Sequence, residues 1–226
     1  MTEYFSRFST QTLSPFGQDT PEQQDAERSP YALAMSQWPA EDFLFPWRKL
    51  LQLYLRRSAT EKEGADSVLY PTSSSSLCIR PLMVGDFDKG YCQLLTQLTT
   101  VGDVSRAQFE EQFWAMQAAG AYYIVVIEDH NDTFERKVIG SASLVLERKF
   151  IHSAGIRGRI EDVVVSDAYR GRKLGKILME VLTGLGKDLG CYKLSLECKD
   201  HLIPFYKTFG FDKDPGNNFM IQRFKD

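Results

Sequence analysis

A strand, a basic loop with two glycines and a strongly amphipathic helix follow one another without interruption from Arg159 to Leu189. This run limits the possible folds more than any other part of the chain. Leu174, Ile177, Leu178, Val181, Leu182, Leu185 and Leu189 recur on one face of a helix over Gly171–Leu189. Such a face has to be covered, and the strand Arg159–Val165 before it and the strand Tyr192–Glu197 after it supply a sheet to cover it.

The remaining pattern from Leu77 onward alternates between period 2 and period 3.6. Leu77–Leu82 predicts a strand, and Asp86–Leu98 and Ser105–Gly120 predict helices, the second with Ser105 as N-cap. Ala121–Glu128 and Val138–Glu147 read as strands on either side of the polar turn Asp129–Arg136, hence an antiparallel hairpin. Leu202–Phe209 reads as a short helix and Phe219–Phe224 as a closing strand. This order implies an α+β protein: a mixed, mostly antiparallel central sheet with helices on both faces.

Residues 1–76 read as an extension. Residues 1–40 are rich in Ser, Thr, Gln and Pro without sustained periodicity, a composition that predicts disorder. Phe43, Leu44, Trp47, Leu50, Leu51, Tyr54 and Leu55 predict a short helix near 43–57 with Pro46 in its first turn. It reads as docked on the main domain or on a second subunit, rather than as a basic helix lying on a membrane. Ser58–Ser76 reads as a flexible linker. A chain starting near Ser73 is therefore expected to fold alone.

Composition excludes several functional classes. The formal net charge is -3, with five acids against two arginines in residues 1–30, so the rest of the chain is neutral and lacks the basic character of a nucleic-acid binder. No apolar run approaches the roughly 18 residues of a membrane span. The four cysteines show neither metal-ligand spacing nor a small disulfide framework, so no metal is expected and a reducing, cytoplasmic compartment is. The N-terminus leaves an organelle address open.

Chemistry concentrates in Arg159–Gly175. Gly171 and Gly175 let backbone approach a ligand, and the first N–H groups of the helix lack partners inside it. Arg170, Arg172, Lys173 and Lys176 add positive charge, and Glu147–Lys176 holds eight basic residues against four acids. A pyrophosphate would suit this place. Two glycines at a helix start do not by themselves distinguish a ligand site from a solvated loop.

The wider constellation does. Arg170-Gly-Arg-Lys-Leu-Gly175, the amphipathic helix, Leu196-Glu-Cys198 and Phe205-Tyr206-x-x-Phe-Gly210-Phe211 resemble the acyl-CoA-binding core of the GNAT superfamily. Within it, Glu161-Asp-Val-Val-Val165, Cys191-Tyr-Lys193, Lys149-Phe-Ile-His152, Leu98-Thr-Thr-Val-Gly102 and Arg223-Phe224 are similar to the glucosamine-6-phosphate N-acetyltransferases. The resemblance covers residues 77–226 and none of residues 1–76. Lys173 departs from the general superfamily loop but not from this subgroup. Leu202 stands where members usually have an Asn, which removes a polar side chain beside the pantetheine arm.

The resemblance implies acetyl-CoA as donor, glucosamine 6-phosphate as acceptor, a place in UDP-GlcNAc synthesis, and a homodimer with acceptor sites near the subunit interface. It implies that backbone groups of Val163, Val164 and Val165 bind the thioester and pantetheine, and that Arg170, Gly171, Arg172, Lys173, Leu174 and Gly175 bind pyrophosphate. Tyr206 is the candidate donor to the departing thiolate, because a phenol can protonate it; otherwise it is a core aromatic. Glu197 either orients the amine or accepts its proton, or is a plain strand-end acid. Lys149, His152, Lys193 and Arg223 match phosphate-side positions, and Thr99, Glu161 and Asp162 sugar-side ones. Phe150, Ile151, Val163 and Tyr192 complete the implied acceptor set. Two other readings remain: another amine acceptor, such as a peptide, protein lysine or polyamine, and a CoA-binding module whose catalysis has lapsed.

Overall fold

The structure is a computed structural model that describes residues 29–53, 76–131 and 136–224. Its centre is a five-stranded sheet whose spatial order follows the chain: β1 (Leu77–Pro81), β2 (Tyr122–Asp129), β3 (Lys137–Arg148), β4 (Ile156–Val165) and β5 (Cys191–Leu196). The first three pairings are antiparallel, and β4 with β5 is parallel. The described helices are α1 (Pro30–Met35), residues 48–53, α2 (Tyr91–Leu95), α3 (Arg106–Ala119), α4 (Leu174–Asp188) and α5 (Ile203–Lys207).

A parallel pair cannot be closed by a tight turn, and α4 is the crossover that joins β4 to β5. Leu174, Ile177, Leu178, Val181, Leu182 and Leu185 are buried as the helical spacing requires, and Leu189 is partly buried. α4 packs on β3, β4 and β5, while α2 lies against β3 and β4 and α3 against β2. β2 is covered on both faces, which accounts for its unbroken apolar run Tyr123–Ile127. Ser105 caps α3, accepting from Gln108 N–H, and the Gln108 side chain returns the bond to Ser105 N–H.

Four expectations need correction. Asp86–Leu98 is not one helix: a 3-10 turn at Val84–Phe87 gives way to α2 at Gly90, whose φ of 79° interrupts helical winding. Phe43 is extended and bridged to Met83, Leu44 and Phe45 form a bend, and helix begins only after Pro46. Phe45 precedes a proline, which disfavours helical backbone there. Phe219–Phe224 forms no strand with the described residues; Phe219, Met220, Ile221 and Phe224 are exposed.

The largest difference lies in residues 29–40, read as disordered. Ser29 caps α1 with Pro30 in its first turn, and Tyr31 and Met35 are fully buried. Six residues are too few to show a period in a polar background. Trp47, Leu50 and Leu51 are buried in the same core, Tyr31 meets Trp47 edge-on at 6.2 Å, and Phe45 lies 4.9 Å from Tyr123. Leu44 N–H donates to Leu82 O at 2.8 Å, and the Gln117 amide donates to the carbonyls of Glu41 and Phe43. Residues 1–28 and 54–75 lie outside the described residues, as do most of the expected linker and the end of the 43–57 helix.

Charge is buried with its partners at the start of the sheet. Arg80 is fully buried; its guanidinium donates to both oxygens of Asp86, at 2.7 and 2.8 Å, and to Glu128 at 2.9 Å. Lys89 reaches Glu128 at 2.7 Å, and His130 Nε2 lies 2.9 Å from it. Burial works to raise the Glu128 carboxyl, but His130, Arg80 and Lys89 outweigh it and hold the group well below the usual carboxylate range. A lone arginine in Leu77–Pro81 gave no sequence signal of this cluster.

Because residues 29–53 share the core, a chain starting near Ser73 should fail to reach the stability of the full chain, reversing the expectation drawn from composition. Trp47→Ala should cost about 3–5 kcal/mol in denaturant unfolding; a change under about 0.5 kcal/mol would show that this segment is dispensable.

Candidate active site

The site is built where β4 and β5 separate. Their parallel pairing ends at Ile160 opposite Leu196, yet β4 continues to Val165. Ser166 N–H donates to Ile139 O on the β3 side. Strand alternation then turns the N–H groups of Val163 and Val165 toward the open side, where β5 no longer pairs with them. Val164 points its side chain into the core instead.

A bulge sets this geometry. Ser141 faces Val164 and Ser143 faces Glu161, so β4 carries one residue more than β3 between them. Asp162 sits there with φ 52°, a left-handed backbone that Asp tolerates better than most residues. The strict alternation of Glu161 and Asp162 across two faces therefore fails. Desolvation pushes the Asp162 carboxyl above its ordinary range, although the residue keeps contact with solvent.

Beyond β4 a 3-10 turn, Asp167–Tyr169, leads through Arg170–Lys173 into α4. Gly171 has φ 80° and Lys173, the N-cap, φ 59°, with no side-chain cap on the helix. Lys173 thus holds the left-handed conformation that glycine would adopt without cost, a strain of about 1 kcal/mol. Leu174 is buried beneath the first turn. A groove of about 580 Å³ lined by Val165, Gly171, Gly175, Phe205 and Thr208 runs along this helix start. A Cβ on Gly175 would meet Phe205 at 3.9 Å and Val165 at 4.0 Å, so the pocket wall is open at that point. Open strand edge, uncapped helix start and groove fit an extended thioester donor ending in a pyrophosphate.

The basic excess is largely consumed by pairing. Arg170 binds Asp167, Lys149 binds Glu147, Lys176 approaches Glu180, and Arg157 donates to Ser195. Arg159 binds Glu161 at 2.6 Å and Glu197 at 2.5 Å, clamping both carboxylates. Sequence reasoning missed Arg159 as a site residue. Its signal was the two-residue spacing to Glu161, which places both side chains on one face of a strand.

Tyr206, on α5, lines a second cavity of about 580 Å³ with Glu197, Cys198, Ile203 and Phe211. Burial first, and then Cys198, raise its hydroxyl, which keeps the phenol protonated and able to donate. Leu202 occupies the N-cap of α5 without a side-chain cap, as the absence of an Asn there requires.

One chain does not gather the whole implied acceptor set. Lys149, Phe150, Ile151 and His152 lie in the turn between β3 and β4, where His152, Ser153 and Ala154 all have left-handed φ. The His152 ring stacks 4.2 Å from Tyr192, next to Lys193 at the start of β5. The turn meets β4 at Ile156, five strand residues from Glu161, about 17 Å at the usual rise, whereas Lys193 lines the cavity of Glu197 and Tyr206. Thr99 follows α2 at the opposite end, and Arg223 is exposed in the C-terminal stretch.

Gly175→Ala meets only ordinary contacts inside the protein and should change unfolding free energy by less than about 0.5 kcal/mol. If the groove receives pyrophosphate, the same substitution should weaken acetyl-CoA binding in calorimetry. Undiminished affinity would place the ligand elsewhere.

Comparison with known proteins agrees with this geometry. The model of the Acetyltransferase (GNAT) family matches residues 91–211. The chain is 46% identical over 193 residues to the "Probable glucosamine 6-phosphate N-acetyltransferase" of Drosophila melanogaster, covering 85% of this chain and 86% of that one. Those 193 residues exceed the span 77–226, so the similarity reaches into the N-terminal segment. It is 37% identical over 137 residues to "Glucosamine 6-phosphate N-acetyltransferase 1" of Dictyostelium discoideum, covering 61% of this chain and 85% of that one. The crystal structure of glucosamine-6-phosphate N-acetyltransferase from Arabidopsis thaliana superposes with a TM-score of 0.61 at 34% identity, covering 67% of this chain and all of that one. The chain belongs to the GNAT acetyltransferases and, within them, to the glucosamine 6-phosphate N-acetyltransferases.

Proposed function

We propose that this protein transfers the acetyl group of acetyl-CoA to the 2-amino group of D-glucosamine 6-phosphate, giving N-acetyl-D-glucosamine 6-phosphate, the precursor for UDP-GlcNAc, and CoA. The observation that carries it is the open edge of β4 running directly into the groove at the uncapped start of α4, with Val165 common to both. The acceptor follows from the relatives' names.

The neutral amine attacks the thioester carbonyl carbon. Backbone N–H groups at Val163 and Val165 are fixed donors for the oxygen as it gains charge. Collapse breaks the C–S bond, and the thiolate takes the Tyr206 proton. The amine's proton leaves through water toward Asp162 or Glu197; Asp162 is exposed to that water, and partial desolvation raises its carboxyl. Arg159 keeps Glu197 in place.

The homodimer is part of this reading. Phe150 is 100% exposed, and Phe219, Met220, Ile221 and Phe224 offer an apolar C-terminal stretch that a second copy would cover. Such a partner would also bring the separated phosphate-side and sugar-side residues to one acceptor. A cytoplasmic location is supported by the free thiols of Cys78, Cys92, Cys191 and Cys198.

Steady-state kinetics test the acceptor: kcat/KM for glucosamine 6-phosphate should greatly exceed that for glucosamine, and equal values would overturn the assignment. Tyr206→Phe keeps the ring but loses the proton donor, so kcat should fall by about 10²–10⁴-fold with acetyl-CoA affinity kept. Full kcat in that variant would return Tyr206 to a packing role.

A further inference from the structure

The segment between β4 and α4 is tied to the body of the protein at three points. Ser166 N–H donates to Ile139 O at 2.8 Å, which extends the β3–β4 ladder. Asp167 N–H donates to Gln97 Oε1 at 2.9 Å on the surface. The third tie differs in kind: Tyr169 O–H donates to Asp129 Oδ2 at 2.5 Å, and Asp129, at the end of β2, is only 8% exposed. The other oxygen of Asp129 accepts Asn131 N–H at 2.8 Å, so the carboxylate is held on both sides.

What rests on Tyr169 is the loop itself. The Arg172 guanidinium lies over its ring, 5.5 Å from the centroid, between the two left-handed residues Gly171 and Lys173. Arg170 pairs with Asp167 within the same segment, and among the described residues no ion pair ties it to another element. Of the three ties, the part-buried Tyr169–Asp129 bond is the one that reaches the loop itself, beyond Ser166 and Asp167.

We infer that the Tyr169–Asp129 hydrogen bond is a positioning element for the donor: it holds residues 169–173 and Arg172 in the conformation that meets the pyrophosphate before acetyl-CoA arrives. The inference rests on the reading of 170–175 as the pyrophosphate site. Preorganisation of this kind acts on affinity, because an anchored loop has less freedom to lose on binding. It does not act on acyl transfer, which occurs at the other end of the donor. The bond to Asp129, foremost, raises the Tyr169 hydroxyl above its ordinary range, so the phenol remains the donor at neutral pH.

Tyr169→Phe retains the ring beneath Arg172 and deletes only the hydroxyl. The expected result is about a tenfold rise in Kd and KM for acetyl-CoA, the scale of one hydrogen bond to a charged group, with kcat and the acceptor KM unchanged. With S-acetylpantetheine, which lacks the pyrophosphate, the variant and the parent should be equal. A defect from general loosening would reach both donors. Asp129→Asn, which keeps an oxygen for Tyr169, should recover most of the acetyl-CoA affinity that Asp129→Ala loses. Unchanged acetyl-CoA affinity in Tyr169→Phe, or equal losses with both donors, would overturn the inference. If Gly175→Ala, run alongside, is also silent toward acetyl-CoA, the pyrophosphate assignment falls as well; if Gly175→Ala weakens binding and Tyr169→Phe does not, only the positioning role falls.

Discussion

Everything chemical here depends on two parallel strands ceasing to pair partway along their length. A row of unsatisfied main-chain donors inside a sheet is a cost that folded proteins normally avoid. In this fold the cost is confined to the few residues after Ile160, and the neighbouring elements keep it there. The extra residue at Asp162 twists β4 away from its partner, and the covalent path through α4 fixes where β5 returns. The same departure leaves room for a long ligand to be received as a substitute strand, backbone to backbone, with its charged end at the start of α4.

The scaffold that holds this opening is broader than the catalytic motifs. Residues 29–53 bury aromatic and aliphatic side chains against β2, and Leu53 packs against α4 so closely that a Cβ on Gly184 would lie 2.8 Å from it. The helix whose start faces the donor is thus braced from behind by a segment some 130 positions earlier in the chain. Similarity to the Drosophila protein over 85% of this chain shows that the segment is shared with a relative.

What was legible in the sequence follows a physical divide. Helix α4, the β2–β3 hairpin and the cap at Ser105 announce themselves because burial over ten or more residues writes a period into the chain, and caps use few residue types. α1 was illegible because one and a half turns of helix bury only Tyr31, Ala32 and Met35, too few to mark a period. The loop motif Arg170–Gly175 could be recognised, but the bulge at Asp162 could not, since an inserted residue shows only when both strands are in register. Arg159 went unnoticed as a site residue because its partner Glu197 is 38 positions away. The C-terminal stretch was read as a strand from its alternation; a strand also needs a neighbour, and sequence does not say from which copy one would come.

The buried cluster around Arg80 bears on how this sequence can change through descent. Removing any one member strands the others as uncompensated charge, a loss of about 3–5 kcal/mol, which is a large part of the roughly 5–15 kcal/mol that keeps a typical domain folded. Exchanging all of them together for apolar residues of similar volume would be nearly neutral. Between those two sequences every single-step intermediate is worse than either end. Arg80, Asp86 and Glu128 are therefore inherited as one character, and lineages should display the set entire or wholly replaced.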